Sequence, residues 1–168
     1  MSRGFFETAK SCLALGDPQE KCSAVLAFAG AEDNQETDWD PDYPLLAIAA
    51  PGRPDRPELI PPARVPRRRL GSAEGRAALV HAIAHIEFNA INLALDAAYR
   101  FRDMPRQYHL DWLSVAADEA RHFRMLDTRL RAMDHDYGDF QAHNGLWELA
   151  EKTADSCLKR MALVPRVL

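Results

Sequence analysis

Three residues, Glu87, Glu119 and His122, have the types and the spacing to do chemistry together. Glu87 falls within HAIAHIEFNAINLALDAAYRF, residues 81–101. On a helical wheel Val80, Ile83, Ala84, Ile91, Ala94 and Ala98 lie within about 60° of one direction, and Glu87 sits in the middle of that apolar stripe. An ionised carboxylate buried alone is costly, so it must be neutralised, find a cation or bind a metal.

A second stretch repeats the anomaly. With Glu119 as reference, Tyr108, Trp112, Val115, Phe123, Leu126, Leu130 and Met133 lie within about 40° of it and His122 about 60° away. The motif is therefore EARH, an E-x-x-H whose Glu and His both look inward. Arg121, Arg124 and Thr128 point the other way. The two stretches are joined by a short turn near Met104, which makes them antiparallel. Glu87 lies 17 residues before Met104 and Glu119 lies 15 after it, so their heights along the hairpin match to within a few ångströms. Two carboxylates and an imidazole converging in a dry interior suit Fe or Mn. In helical carboxylate sites one helix gives a Glu and the next gives E-x-x-H, because residues i and i+3 reach the same ion. The metal-free alternative has Glu87 paired or hydrogen-bonded with His122 or an arginine.

Other histidines are weaker candidates. His81 and His85 lie about 120° and 160° from Glu87 on the wheel, beside Asn89, Asn92 and Asp96, and face another packing surface or solvent. His109, His135 and His143 have no partner at ligand spacing. Neither a Ser-His-Asp or Cys-His nucleophile nor a Gly-rich phosphate loop is indicated.

The elements that must position these residues are helices, and the fold class is all-α. Residues 1–30 contain two short helices forming a hairpin, the first stopping at Gly16 and the second capped by Asp17 with Pro18 at its first position. This hairpin reads as a packing appendage or a partner-docking element. Residues 31–71 hold eight of the eleven prolines, between Pro41 and Pro66, and form a long extended strap across the helical core, since each proline removes a donor and restrains its predecessor. Arg67, Arg68 and Arg69 within it read as a solvated surface. Residues 72–168 form the helical domain. Ser72 caps a helix running to about Phe101, Pro105 opens one running to about Met133, and a third begins near Leu146. Trp147, Ala150, Ala154, Cys157, Leu158 and Met161 give that third helix its core face, and Pro165 should kink it.

At 168 residues, with 47% hydrophobic and 27% charged residues, the chain suits one globular domain. A net charge of -4 does not support nucleic-acid binding as its main task. The three cysteines, Cys12, Cys22 and Cys157, have neither disulfide-framework nor zinc spacing. No signal-peptide pattern and no apolar run of membrane length is visible, so the expected location is the cytoplasm, away from membranes.

LVHAIAHIEFNAINLALDAAYRF, DWLSVAADEARHF, YGDFQAHNGLWE and TADSCLKRMALVPRVL resemble the bacterial ferritin-like family catalogued as domain of unknown function 455. The likeness is close from about residue 64 onward and loose over the first 30. It implies a ferritin-like helical bundle in which Glu87, Glu119 and His122 match the first Glu and the first E-x-x-H of a two-metal site. It also implies a longer chain, with a third-helix Glu after the VPRV segment and a fourth helix bearing a second E-x-x-H. On that expectation the present chain is an incomplete version, and its site needs either the further residues or a homodimer. The expected function is a carboxylate-bridged di-iron or Fe/Mn oxidoreductase that activates dioxygen or peroxide on a small molecule or an RNA base. The alternatives are an iron-handling ferroxidase and a metal-free interaction protein.

Overall fold

The computed structural model describes residues 4–33 and 37–164. Among these the fold is all-α, with six α-helices and no strand. They are α1 (Phe5–Ala14), α2 (Pro18–Asp33), α3 (Ala73–Arg100), α4 (Arg106–Arg131), α5 (Gly145–Lys152) and α6 (Cys157–Leu163).

Local chemistry explains most of the boundaries. Asp17 Oδ1 accepts from the amides of Gln19 and Glu20 at 2.9 and 2.8 Å, capping α2, and Ser72 Oγ accepts from Gly75 N at 2.9 Å, capping α3. Between α3 and α4 the turn is pinned from within. The ring nitrogens of buried His109 lie 2.6 Å from the Ala98 carbonyl oxygen and 3.2 Å from that of Met104.

α3 packs most extensively on α4, with α1 against α3 and α2 against α4. Phe5, Phe6 and Leu13 of α1, Val25 and Phe28 of α2, Phe88, Ile91 and Leu95 of α3, and Leu113, Phe123 and Leu130 of α4 form one cluster. Burying each such side chain contributes roughly 1.5–3 kcal/mol. The N-terminal hairpin is thus a wall of the core. The buried face of α4, made by His109, Leu113, Ala116, Ala117, Ala120, Phe123, Asp127 and Leu130, packs on α3 and α2; it keeps Phe123 and Leu130 of the expected stripe but is centred to one side of it. Consequently Ile83 and Val115, expected in the core, are exposed, and Glu87 and Glu119 stand at its margin. Among the described residues α3 has the length and apolar composition to cross a membrane, but 56% of its apolar window is buried in the bundle, as in a core helix of a soluble protein.

The strap docks chiefly through backbone. Leu46 N donates to Tyr99 Oη at 2.8 Å, and Ala49 O accepts from Trp147 Nε1 at 3.3 Å. Leu45 and Leu46 themselves remain exposed. Gly52 passes so close to the end of α1 that a Cβ would stand 2.2 Å from Ala14 O, and its amide donates to Leu13 O at 2.8 Å. Beneath this crossing the ammonium of buried Lys21 donates to Leu13 O at 3.2 Å, Gly52 O at 2.7 Å and Asn92 Oδ1. Three donors meet three acceptors, tying α1, the strap and α3 to α2.

The expected third helix is divided. α5 ends at Lys152, Thr153–Ser156 form a break, and Ser156 Oγ accepts from Lys159 N at 3.3 Å to start α6. The break turns Arg160 inward and leaves Leu158, expected in the core, 80% exposed. The Arg160 guanidinium donates to Asp96 Oδ2 at 2.8 Å, Thr153 Oγ1 at 2.7 Å and Ala150 O at 2.7 Å. Arg100 holds the other Asp96 oxygen at 2.6 Å. The expected kink at Pro165 lies outside the described residues.

Candidate metal centre

Glu87 reaches the centre from α3, and Glu119 and His122 reach it from successive turns of α4. His122 Nδ1 lies 2.9 Å from Glu119 Oε2 and 3.6 Å from Glu87 Oε2. One ligand atom from each residue can be chosen so that all three fall within 4.8 Å of one another. The level matching expected from the hairpin therefore brings the three residues together. The expected dry interior is not what surrounds them: the side chains of Glu87, Glu119 and His122 are 20%, 21% and 49% exposed. The reason is the rotation of the buried face of α4 toward α2, which leaves the cluster on the other margin of the α3–α4 seam.

The electrostatics are those of crowded acids beside a base. Partial burial pushes the Glu87 carboxyl up to about 7, helped by the hydrogen bond to Glu119 and its charge and opposed by His122. The hydrogen bond to Glu119 raises the His122 imidazole above its ordinary value. Near neutral pH the Glu87 carboxyl therefore keeps its proton part of the time. A divalent cation fits this donor set, because two carboxylate oxygens and one imidazole nitrogen supply borderline ligands and the cation relieves the repulsion between the acids.

The remaining histidines are committed elsewhere. His81 is buried and its Nε2 accepts from Gly138 N at 3.0 Å. His85 Nδ1 lies 2.9 Å from Tyr137 Oη and its Nε2 lies 2.9 Å from His143 O. Both serve the packing of the 132–144 loop on α3, as their wheel positions implied.

A family model described as "Protein of unknown function (DUF455)" matches residues 14–168. The chain belongs to the DUF455 family. It is also similar to a protein of Haemophilus influenzae (strain Rd) named "Uncharacterized protein", 42% identical over 181 aligned residues. That alignment takes in 98% of this chain and 60% of the relative, so the chain spans about three fifths of the relative's length. No solved structure matches.

The buried Asp96–Arg100–Arg160 group and the Lys21 tie escaped sequence reasoning. The i,i+4 spacing of Asp96 and Arg100 was a readable signal. Arg160 gave none, because only the break between α5 and α6 turns it inward.

Proposed function

We propose that this DUF455 chain carries half of a carboxylate-bridged di-iron or Fe/Mn centre in a ferritin-like bundle, and that the complete protein is an oxidoreductase acting with dioxygen or peroxide. The single observation that carries this reading is the convergence of Glu87, Glu119 and His122 from two antiparallel helices. When bound, the metal pair supplies the redox chemistry. The chain's own residues hold it, with Glu87 and Glu119 as carboxylate ligands and His122 as the imidazole ligand. Further ligands come from the additional length seen in the relative or from a second copy of this chain.

A small cavity supports the same reading. Glu119 borders a space of about 20 Å³ whose walls include Ala90, Leu93, Trp112, Met161 and Arg160. A space of roughly 10–15 Å³ or more admits one water-sized molecule, and an apolar one stays dry. The cavity therefore leaves room for one small reactant next to Glu119. The substrate class is a small molecule or an RNA base, and the expected location is the cytoplasm.

Metal content of protein purified from iron-supplemented cells tests the assignment, measured for the wild type, Glu119→Ala and His122→Ala. Each variant is expected to lose most bound iron or manganese while far-UV circular dichroism stays unchanged. Wild-type stoichiometry in both variants overturns the ligand assignment. A metal-free reading draws on the same cluster, since Glu87, Glu119 and His122 already satisfy one another through shared protons. It predicts metal-free wild-type protein under the same purification, for this chain and for a chain of the relative's length.

A further inference from the structure

Between the end of α2 and the first half of α4 runs a groove of about 340 Å³, bordered by Glu32, Leu110, Asp111, Leu113, Ser114 and Arg121, the last paired with Asp118 at 2.6 Å. It shares no residue with the Glu87 cluster, and the inference drawn from it does not rest on the metal reading.

Glu32 is the anomaly. Its side chain is only 7% exposed, and its buried Oε1 has no hydrogen-bond partner. The other oxygen has Arg106 at 3.8 Å, beyond hydrogen-bond range, and that guanidinium also lies over the Trp39 ring, 5.2 Å from its centroid. The last turn of α2 contains no basic residue, so the carboxylate stands at the negative end of the helix dipole, where a cation is favoured and an anion is not. Across the groove Asp111 accepts from Gln107 Nε2 at 2.8 Å through one oxygen, which leaves the other for a ligand. A buried carboxylate without hydrogen bonds is a costly arrangement that a charged donor corrects.

The shape narrows the choice of donor. A bare divalent ion is far smaller than the groove. Half-buried Leu110, backed by buried Leu113 and Ala117, offers an apolar side that an ion cannot use. We propose that this groove binds an aliphatic ammonium group, its head between Glu32 and Asp111 with Ser114 Oγ as a further acceptor, and its hydrocarbon chain against Leu110. The terminal torsion of a glutamate is soft, so either Glu32 oxygen can turn toward the head. The same chemistry could arrive as a free amine or as a lysine side chain.

Calorimetric titration of the full chain tests this, using n-pentylammonium, n-pentanol, 1,5-diaminopentane, Nα-acetyl-lysine amide and calcium chloride. Pentylammonium is expected to bind at least about tenfold more tightly than pentanol, since only the ammonium meets the two carboxylates. Glu32→Gln and Asp111→Asn should each weaken it by about tenfold. Asp111 is exposed, so its variant keeps the fold and the test stands even if Glu32→Gln unfolds. Tighter binding of the diamine assigns a free amine as the source, and tighter binding of the lysine derivative assigns a side chain; both support the site. Equal affinity for pentylammonium and pentanol, no amine binding, preferential calcium binding, or an unaltered affinity in Asp111→Asn overturns the proposal.

Discussion

His81 is kept unprotonated by two influences on one ring. Burial pushes its pKa down to about 4, with the neighbouring His85 adding to the effect, and its Nε2 is already an acceptor for Gly138 N. Gly138 can sit there because its φ of 111° suits glycine, and a Cβ would approach Arg56 Cβ to 3.0 Å. The linkage follows in sign. An unfolded histidine titrates near about 6.5, so between that pH and 4 the unfolded chain binds a proton that the folded chain refuses. Stability is complete above 6.5 and is lost as pH falls toward 4. Between pH 7.5 and pH 5 the His81 contribution is about 2 kcal/mol. Urea denaturation of the wild type and His81→Gln at both values measures it, and the variant should show a pH loss smaller by about that amount. Equal losses in the two proteins would remove His81 as the cause.

At the level of elements, α6 is held by charge more than by apolar surface. Arg160 anchors it to Asp96 of α3 with both side chains out of solvent, while Leu158 and Leu163 face outward. Removing one partner of a buried ion group costs roughly 3–5 kcal/mol, because the other charges are left uncompensated. Asp96→Asn is therefore expected to destabilise by about that much, and hydrogen exchange of the α6 amides should rise first. Protection of α6 equal to wild type would contradict this anchor. The same elements show what the sequence discloses. Caps at Asp17 and Ser72, the prolines at 18 and 105 and the short turn near Met104 are local signals, so the first four helices and the pairing of Glu87 with Glu119 and His122 were legible. Which face of α4 is buried was not, because it depends on α2 arriving from nearly a hundred residues away. The division of the third helix was hidden as well, since Trp147, Ala150, Cys157 and Met161 keep helical spacing straight through the break.

Across the whole molecule, the hairpin and the α3–α4 pair share a core and have no separable interiors. Phe5 and Phe6 stand against the His109 ring at 6.2 and 5.1 Å between centroids, and Gln19 Nε2 donates to Asp127 Oδ2 at 2.9 Å. A chain lacking residues 1–33 should lose its cooperative thermal transition and expose the face of α4 that α2 covers. Retention of a sharp transition in that deletion would show that α3–α6 fold alone. A single coincident unfolding curve by tryptophan fluorescence and circular dichroism is expected for the full chain.

The crossing of strap and α1 over Lys21 gives the protein a built-in reporter of its own integrity. The sequence contains four lysines, at positions 10, 21, 152 and 159, and only Lys21 is fully enclosed. An acylating reagent should modify the other three in native protein and reach the fourth only when the strap lifts from the end of α1. The mass of the peptide bearing Lys21, followed over time, then reads the opening rate of that crossing without any engineered label.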